Sequence, residues 1–383
     1  MPGTANLNVF RVRFAIACLA LFQTIQVTAL PPPTGQYHVG PSKHVIEHFN
    51  PNHPVAPDGV TTSLLATIYY PTLREPTPCK APYLSPEIAS LYEDRWNFTA
   101  GTLSSLTSTL QEDAPFLGRA AGRSSYPTLI FGPGGGGPPV ESYTILLSEL
   151  ASHGYTVVGL DHPHEQPFVR YPNGTVVYGL PLDFNYTMEI IEAIYKTRLE
   201  DTSAFLDSFP ALVEELNAPF NTTHFAAFGH SLGGAAAVES LYGDDRLLSA
   251  INMDGMFFGR PALNTSEADV GKPSFLFGME IHTGEDENHD ITWGTFPRWQ
   301  TDYWRKLPVT GAVHIDFSDV AFWATVGESD APVGSVPGAR QVEIVNTFVK
   351  AFLDYSPFGR ETPILDGPSK DWPEFVFDAE GPV

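Results

Sequence analysis

A serine, a carboxylate and an imidazole, met in that order along the chain, define the chemistry open to this sequence. Ser231 sits in Gly229-His230-Ser231-Leu232-Gly233, with an apolar run over 225–228 leading in and a small-residue run over 233–238 leading out. That pattern predicts a strand, a sharp turn and a helix, with a strained serine projecting its hydroxyl above a sheet edge. A hydroxyl attacks carbonyl carbon well only when a neutral imidazole takes its proton, and the imidazole needs a buried carboxylate to fix its tautomer. Asp254, delivered at the carboxyl end of a strand predicted over 248–253, supplies the carboxylate, and His314, at the end of the short run 309–313, supplies the base. Glu280, after a strand predicted over 273–278, is the rival acid. His162 and His164 follow a strand predicted over 155–160, but they precede the serine; His282 and His289 fall in an acidic, polar loop and read as solvated.

A tetrahedral intermediate also needs donors for its oxyanion. The apolar run 127–131 enters Gly132-Pro133-Gly134-Gly135-Gly136-Gly137, which matches the loop that lends one backbone N–H in this chemistry; the residue after the nucleophile lends the other. Gly135 and Leu232 are therefore the expected oxyanion donors. No G-K-[ST] follows the glycines and no G-x-G-x-x-G is present, which argues against a nucleotide site. No H-E-x-x-H or comparable ligand cluster occurs, so neither cofactor nor metal is expected.

The elements that must position these groups alternate strand and helix from about residue 61 to residue 355. The order serine, acid, histidine is that of the α/β-hydrolases. The expected fold is thus α/β: a mostly parallel central sheet with helices on both faces. A helix is predicted from Thr187 to Phe205 on the stripe Ile190, Ile191, Ile194, Tyr195, and a last one on Val342, Val345, Phe348, Val349 and Phe352. Residues 72–125, rich in Pro, Ser and Thr, read as an insertion placed to roof the site, and 356–383 as an extended strap.

The run from Gly229 through Asp245-Arg246 to Asn252-Met253-Asp254, with Gly311-Ala312-Val313-His314 later, resembles the plasma-type (isoform II) platelet-activating factor acetylhydrolases. Ala66-Thr67-Ile68-Tyr69-Tyr70-Pro71, Leu150-Ala151-Ser152-His153-Gly154-Tyr155 and Arg198-Leu199-Glu200-Asp201 extend the likeness over roughly residues 60 to 355. The resemblance implies a calcium-independent esterase that removes a short sn-2 acyl group, with Ser231, Asp254 and His314 as triad. Two positions depart from the family pattern: Pro133, where a histidine is usual, and Met256, where an aromatic residue is frequent. Proline lacks an N–H, but the donating amide is expected at Gly135, so Pro133 leaves the hole intact. Met256 alters the pocket wall and so bears on substrate choice.

Arg11 and Arg13 precede the apolar stretch 14–22, and Val27-Thr28-Ala29 precedes Leu30-Pro31-Pro32-Pro33, so residues 1–29 read as a signal peptide and 30–383 as one hydrolase domain. Gln23 and Gln26 keep the apolar core short of the ~20 residues a membrane span needs. Cleavage would remove Cys18 and leave Cys79 alone, excluding an internal disulfide. Sequons at Asn97, Asn173, Asn185, Asn221 and Asn264 fit a secreted glycoprotein. A formal net charge of −23 disfavours nucleic acid and anionic bilayers, leaving small neutral or zwitterionic lipid and ester substrates. Two other readings accompany the short-chain esterase: a secreted lipase or polyester hydrolase with the same triad, and an inactive hydrolase-fold binding module, which would require a missing triad member. Phe257, Phe258, Trp299 and Trp304 are the rings expected to close a small acyl pocket.

Overall fold

Runs of branched and aromatic residues, apolar on both sides, mark strands covered on both faces. Leu64–Thr72 and Phe225–His230 are buried at every position. The computed structural model describes residues 29–60, 62–77, 81–118, 126–283, 290–375, 377 and 379–381. The expected signal peptide, except its last residue, lies outside the described residues, as do Cys18, Cys79 and His289.

Nine strands form the central sheet: β1 (His38–Ile46), β2 (Leu64–Thr72), β3 (Thr128–Gly132), β4 (Thr156–Asp161), β5 (Phe225–His230), β6 (Leu247–Met253), β7 (Ser274–Met279), β8 (Trp304–Val309) and β9 (Ala379–Glu380). Their spatial order is β1-β2-β4-β3-β5-β6-β7-β8-β9. The six strands from β4 to β8 pair in parallel, whereas β1, β2 and β9 join antiparallel. The main helices are α1 (Pro86–Arg95), α2 (Thr144–Ser152), α3 (Met188–Glu215), α4 (Leu232–Ser240) and α5 (Gly338–Tyr355). Leu147 and Leu150 of α2 and Phe348 and Phe352 of α5 bury against one face of the sheet; Phe205 and Phe209 of α3 and Ala235 and Val238 of α4 bury against the other. The expected architecture is the one formed.

Register aligns the strand ends that matter. Gly132 is level with Gly229, Met253 with both His230 and Phe277, so the loops leaving β3, β5, β6 and β7 emerge side by side at one edge. Functional groups in open parallel sheets gather at that carboxyl edge.

Helix α3 runs ten residues beyond its expected end at Phe205, straight through Pro210. Proline cannot donate to the carbonyl four residues earlier, which here is that of Leu206. Arg246 Nη1 donates to that carbonyl instead, at 2.9 Å, so the helix keeps its bonding through the proline. The strand before the base is also displaced from the apolar run: β8 is Trp-Arg-Lys-Leu-Pro-Val, and residues 310–313 are turn. Arg305 and Lys306 are buried in it, Arg305 donating to the carbonyls of Leu365 and Trp304, which an apolar pattern cannot reveal.

The described part of the insertion packs beside the base loop. Ile88, Ala89 and Tyr92 of α1 join Val320 and Trp323, and Tyr83 donates to Asp319 Oδ2 at 2.6 Å while accepting from Trp323 Nε1 at 3.0 Å. The C-terminal segment is the expected strap: Phe375 bridges to Val309, Ala379 and Glu380 pair with Lys306 and Arg305, and Phe375 lies 4.0 Å from the ring of Phe348.

Candidate active site

Ser231 occupies the turn between β5 and α4 with φ 54° and ψ −125°, a backbone state that costs a non-glycine residue energy and is kept only where the surroundings fix it. Close packing fixes it here: a Cβ on Gly233 would lie 2.1 Å from the carbonyl oxygen of Gly132, so α4 starts in backbone contact with β3. The Ser231 N–H donates to Met253 O at 2.7 Å, tying the elbow to the end of β6.

Asp254 follows at once, with φ 61°, a left-handed state that Asp tolerates better than most side chains. Its side chain is fully buried. Oδ2 accepts from His314 Nδ1 at 2.5 Å; Oδ1 accepts from Met279 N at 2.6 Å and from His282 Nε2 at 3.1 Å. Burial alone would raise this carboxyl, but the hydrogen bonds from the two histidines outweigh it and hold Asp254 well below the usual range. The structure thus brings Asp254, not Glu280, onto His314; Glu280 is exposed. With Nδ1 donating, neutral His314 carries its lone pair on Nε2. That nitrogen and Ser231 Oγ have no hydrogen-bond partner among the described residues, and the His314 side chain is 46% exposed.

His282 is a correction to the sequence reading. It is not solvated: it stands against the carboxylate of Asp254, with Nδ1 3.5 Å from Asp290 Oδ2 and its ring stacked on Trp293 at 3.9 Å. Burial pushes its pKa down, but the hydrogen bond to Asp254 and the nearby Asp290 carboxylate prevail and raise it. Trp293 is anchored by Nε1 donating to Gly255 O at 2.7 Å, and its face suits a cationic neighbour. Position held the signal for His282: it lies three residues beyond β7, next to the strand that delivers Asp254.

His230, the variable residue of the elbow motif, links two loops. Its Nε2–H donates to the carbonyl of His314 at 2.8 Å, so Nδ1 must accept, and the Tyr143 hydroxyl donates to it at 2.9 Å. Tyr143 OH in turn accepts from Gly134 N at 3.3 Å. Burial, aided by nearby His314, pulls His230 down to about 3, which keeps that tautomer neutral.

In the glycine loop, Gly136 N donates to Glu165 Oε1 at 3.1 Å. Gly135 N and Leu232 N, the expected oxyanion donors, have no acceptor among the described residues, and a Cβ on Gly135 would lie 3.0 Å from Leu232 Cδ2. Gly135 therefore packs against the side chain of Leu232, the residue that follows Ser231. Arg198, buried on α3, donates to the carbonyls of Pro133 and Gly134 at 2.6 and 3.1 Å and to Glu165.

His162, the rival base, is buried and bonded to Asp201 Oδ2 at 2.6 Å; His164 is also buried. The four rings expected around an acyl pocket do not converge, which corrects that expectation. Phe257 packs on Phe296 at 4.7 Å, Phe258 on Tyr195 at 5.1 Å, and Trp299 Nε1 donates to Asn264. Trp304 begins β8, five residues or about 16 Å before the edge that carries the triad. No group of three or more metal-ligating side chains occurs among the described residues, and no described helix is long and apolar enough to cross a membrane.

Residues 187–354 match the family model described as platelet-activating factor acetylhydrolase, isoform II. A protein of Arthroderma benhamiae named probable 1-alkyl-2-acetylglycerophosphocholine esterase is 30% identical over 66% of this chain and 66% of its own length. The platelet-activating factor acetylhydrolase of Cavia porcellus is 23% identical over 60% of this chain and 57% of its own. The chain thus matches about two thirds of the first relative's length and less of the second's. A solved ferulic acid esterase from Streptomyces cinnamoneus, an α/β-hydrolase, superimposes with a TM-score of 0.76 at 27% identity over 92% of this chain and 99% of that one. The chain shares that α/β-hydrolase fold.

Proposed function

The chain belongs to the platelet-activating factor acetylhydrolase, isoform II, family, and from that membership we propose that it is a serine esterase for short acyl esters, including 1-alkyl-2-acetylglycerophosphocholine-like phospholipids. The observation that carries the reading is the Asp254–His314 pair set beside a strained Ser231 with His314 Nε2 unclaimed. Substrate binding closes the remaining gap between hydroxyl and imidazole, as free enzymes often hold that bond long. Ser231 Oγ attacks the ester carbon as its proton passes to His314 Nε2, and the oxyanion takes the N–H groups of Gly135 and Leu232. Collapse expels the alcohol with the proton from His314; water, deprotonated by the same nitrogen, then cleaves the acyl-serine to the free acid. Water is consumed and one acid and one alcohol leave, with neither metal nor cofactor in any step. The reading includes secretion behind residues 1–29 and glycosylation at some of the five sequons.

A second reading, favoured by the Streptomyces structure, is hydrolysis of esters of hydroxycinnamic acids on the same triad. One panel separates the possibilities: kcat/KM on nitrophenyl acetate, butyrate, octanoate and palmitate, on the acetyl phospholipid, and on methyl ferulate. A pocket cut to short chains loses activity with length, whereas an open groove gains up to about fourfold per buried methylene, from ~0.8 kcal/mol each. Acetyl preference supports the proposal; a steady rise to palmitate replaces it with a lipase, and dominance of methyl ferulate replaces it with the second reading. Labelling by a serine-directed phosphonate at any residue other than Ser231 refutes the site itself.

A further inference from the structure

We propose that Arg198 is a positioning residue that aims the oxyanion loop, fixing which glycine amide faces the nucleophile; the inference rests on the reading of the site as an acyl-transfer centre. Four bonds define its place: Nη1 to Pro133 O at 2.6 Å, Nη2 to Gly134 O at 3.1 Å, Nε to Glu165 Oε2 at 2.9 Å and Nη2 to Glu165 Oε1 at 2.5 Å. Both side chains of this pair are 2% exposed. Burying two charges is costly, and a well-packed apolar pair often serves stability as well, so a retained buried pair calls for a geometric purpose.

That purpose follows from the peptide plane. In a trans peptide the C=O of one residue and the N–H of the next point in opposite directions. With the carbonyl of Pro133 drawn to the guanidinium, the N–H of Gly134 points away from it and reaches Tyr143 OH. With the carbonyl of Gly134 drawn the same way, the N–H of Gly135 must also point away from Arg198. The next amide, of Gly136, is turned back onto Glu165 Oε1, the partner of the same arginine. Of three consecutive glycine amides, the outer two are occupied and the middle one is left for a ligand, beside the free N–H of Leu232. Pro133 has no N–H of its own, so the loop's orientation is set through carbonyls, and one planar fork reaches two in succession. Lysine, a single point donor, cannot hold both carbonyls and both carboxylate oxygens.

The test uses the purified full chain with Arg198→Lys, assayed on nitrophenyl acetate and its thionoester, whose sulfur accepts oxyanion-hole bonds poorly. The expected result is a kcat loss of about 10²-fold, the scale of one missing oxyanion donor, with KM nearly unchanged. The wild-type preference for oxygen over sulfur should collapse by a similar factor. A folded variant that keeps wild-type kcat, or loses rate equally on both esters, overturns the proposal, because a merely structural arginine would not alter the oxygen-to-sulfur ratio. If Arg198→Lys shows no cooperative melt, Glu165→Gln serves instead: it keeps an acceptor for Gly136 but frees the guanidinium to drift, and the ratio should fall several-fold. An unchanged ratio there also overturns it. Failure of the underlying reading looks different, since the wild-type enzyme would then show no oxygen preference and no phosphonate adduct at Ser231.

Discussion

Replacing His282 with glutamine probes the second imidazole on the triad carboxylate. Glutamine keeps a donor near Asp254 Oδ1 but removes the charge that the raised pKa of His282 places there. That cation opposes protonation of His314 across one carboxylate. Two cations bonded to opposite oxygens of one carboxylate stand on the order of 6 Å apart, and at an effective dielectric near 20 they repel by roughly 3 kcal/mol, equivalent to about 2 units in an ionisation. Half the His314 side chain faces solvent, which screens the interaction, so about 1 unit is the expected net effect. His282→Gln should therefore move the acid limb of the kcat/KM profile upward by about 1 pH unit. The measurement is the rate on nitrophenyl acetate from pH 4.5 to 9, with the limb fitted to one ionisation. An acid limb that stays in place or moves downward refutes the reasoning, since it means His282 is neutral when the enzyme works. Stability provides a second reading of the same charge. Because the folded pKa of His282 lies above its unfolded value, near ~6.5, its ion pairs with Asp254 and Asp290 stabilise fully below that pH. The contribution fades as pH rises through the folded ionisation, and the variant should lack this segment of the Tm-against-pH curve.

Asp254→Asn should cost about 10⁴ in kcat with the fold retained, because His314 loses the acceptor that fixes its tautomer, while Glu280→Gln should be mild; steady-state kinetics with a melting curve decide, and the reverse ranking moves the acid to Glu280. Arg246→Met strips the carbonyl of Leu206 of its substitute donor in front of Pro210, so the urea midpoint should fall by the equivalent of about 1–2 kcal/mol with kcat unchanged; an unaltered midpoint would mean that water replaces the arginine.

The candidate catalytic residues could be singled out because their signals are local. The elbow needs small residues around Ser231, and Asp254 and His314 follow strand ends in a fixed order. The sheet was legible because strands covered on both faces are written as unbroken apolar runs. What stayed hidden depends on partners far along the chain. His282 looks like a loop histidine until β7 is known to lie beside β6, which sets it against Asp254. Arg198 gives no local hint that its side chain reaches residues 133 and 134, over sixty positions earlier. Strand β8 was missed at its start because it carries buried Arg305 and Lys306, and the Arg305 guanidinium is satisfied by a carbonyl sixty positions away, at Leu365. The pocket rings failed for the converse reason: nearness to Asp254 and His314 along the chain says little about a strand whose far end is about 16 Å from the site.

The strap also bears on how the enzyme comes into being during synthesis. Strand β8 leads directly to His314, and its outer edge is closed by residues that emerge some seventy positions later, with Phe375 sealing the rings of Phe277 and Phe348. At about 5–20 residues per second the nascent chain carries that open edge for several seconds. An unpaired strand end beside bare aromatic rings invites intermolecular pairing, so this interval is when the chain depends most on chaperone protection. A ribosome stalled before residue 372 would hold Ser231, Asp254 and His314 and still lack the clasp on the strand that leads to His314.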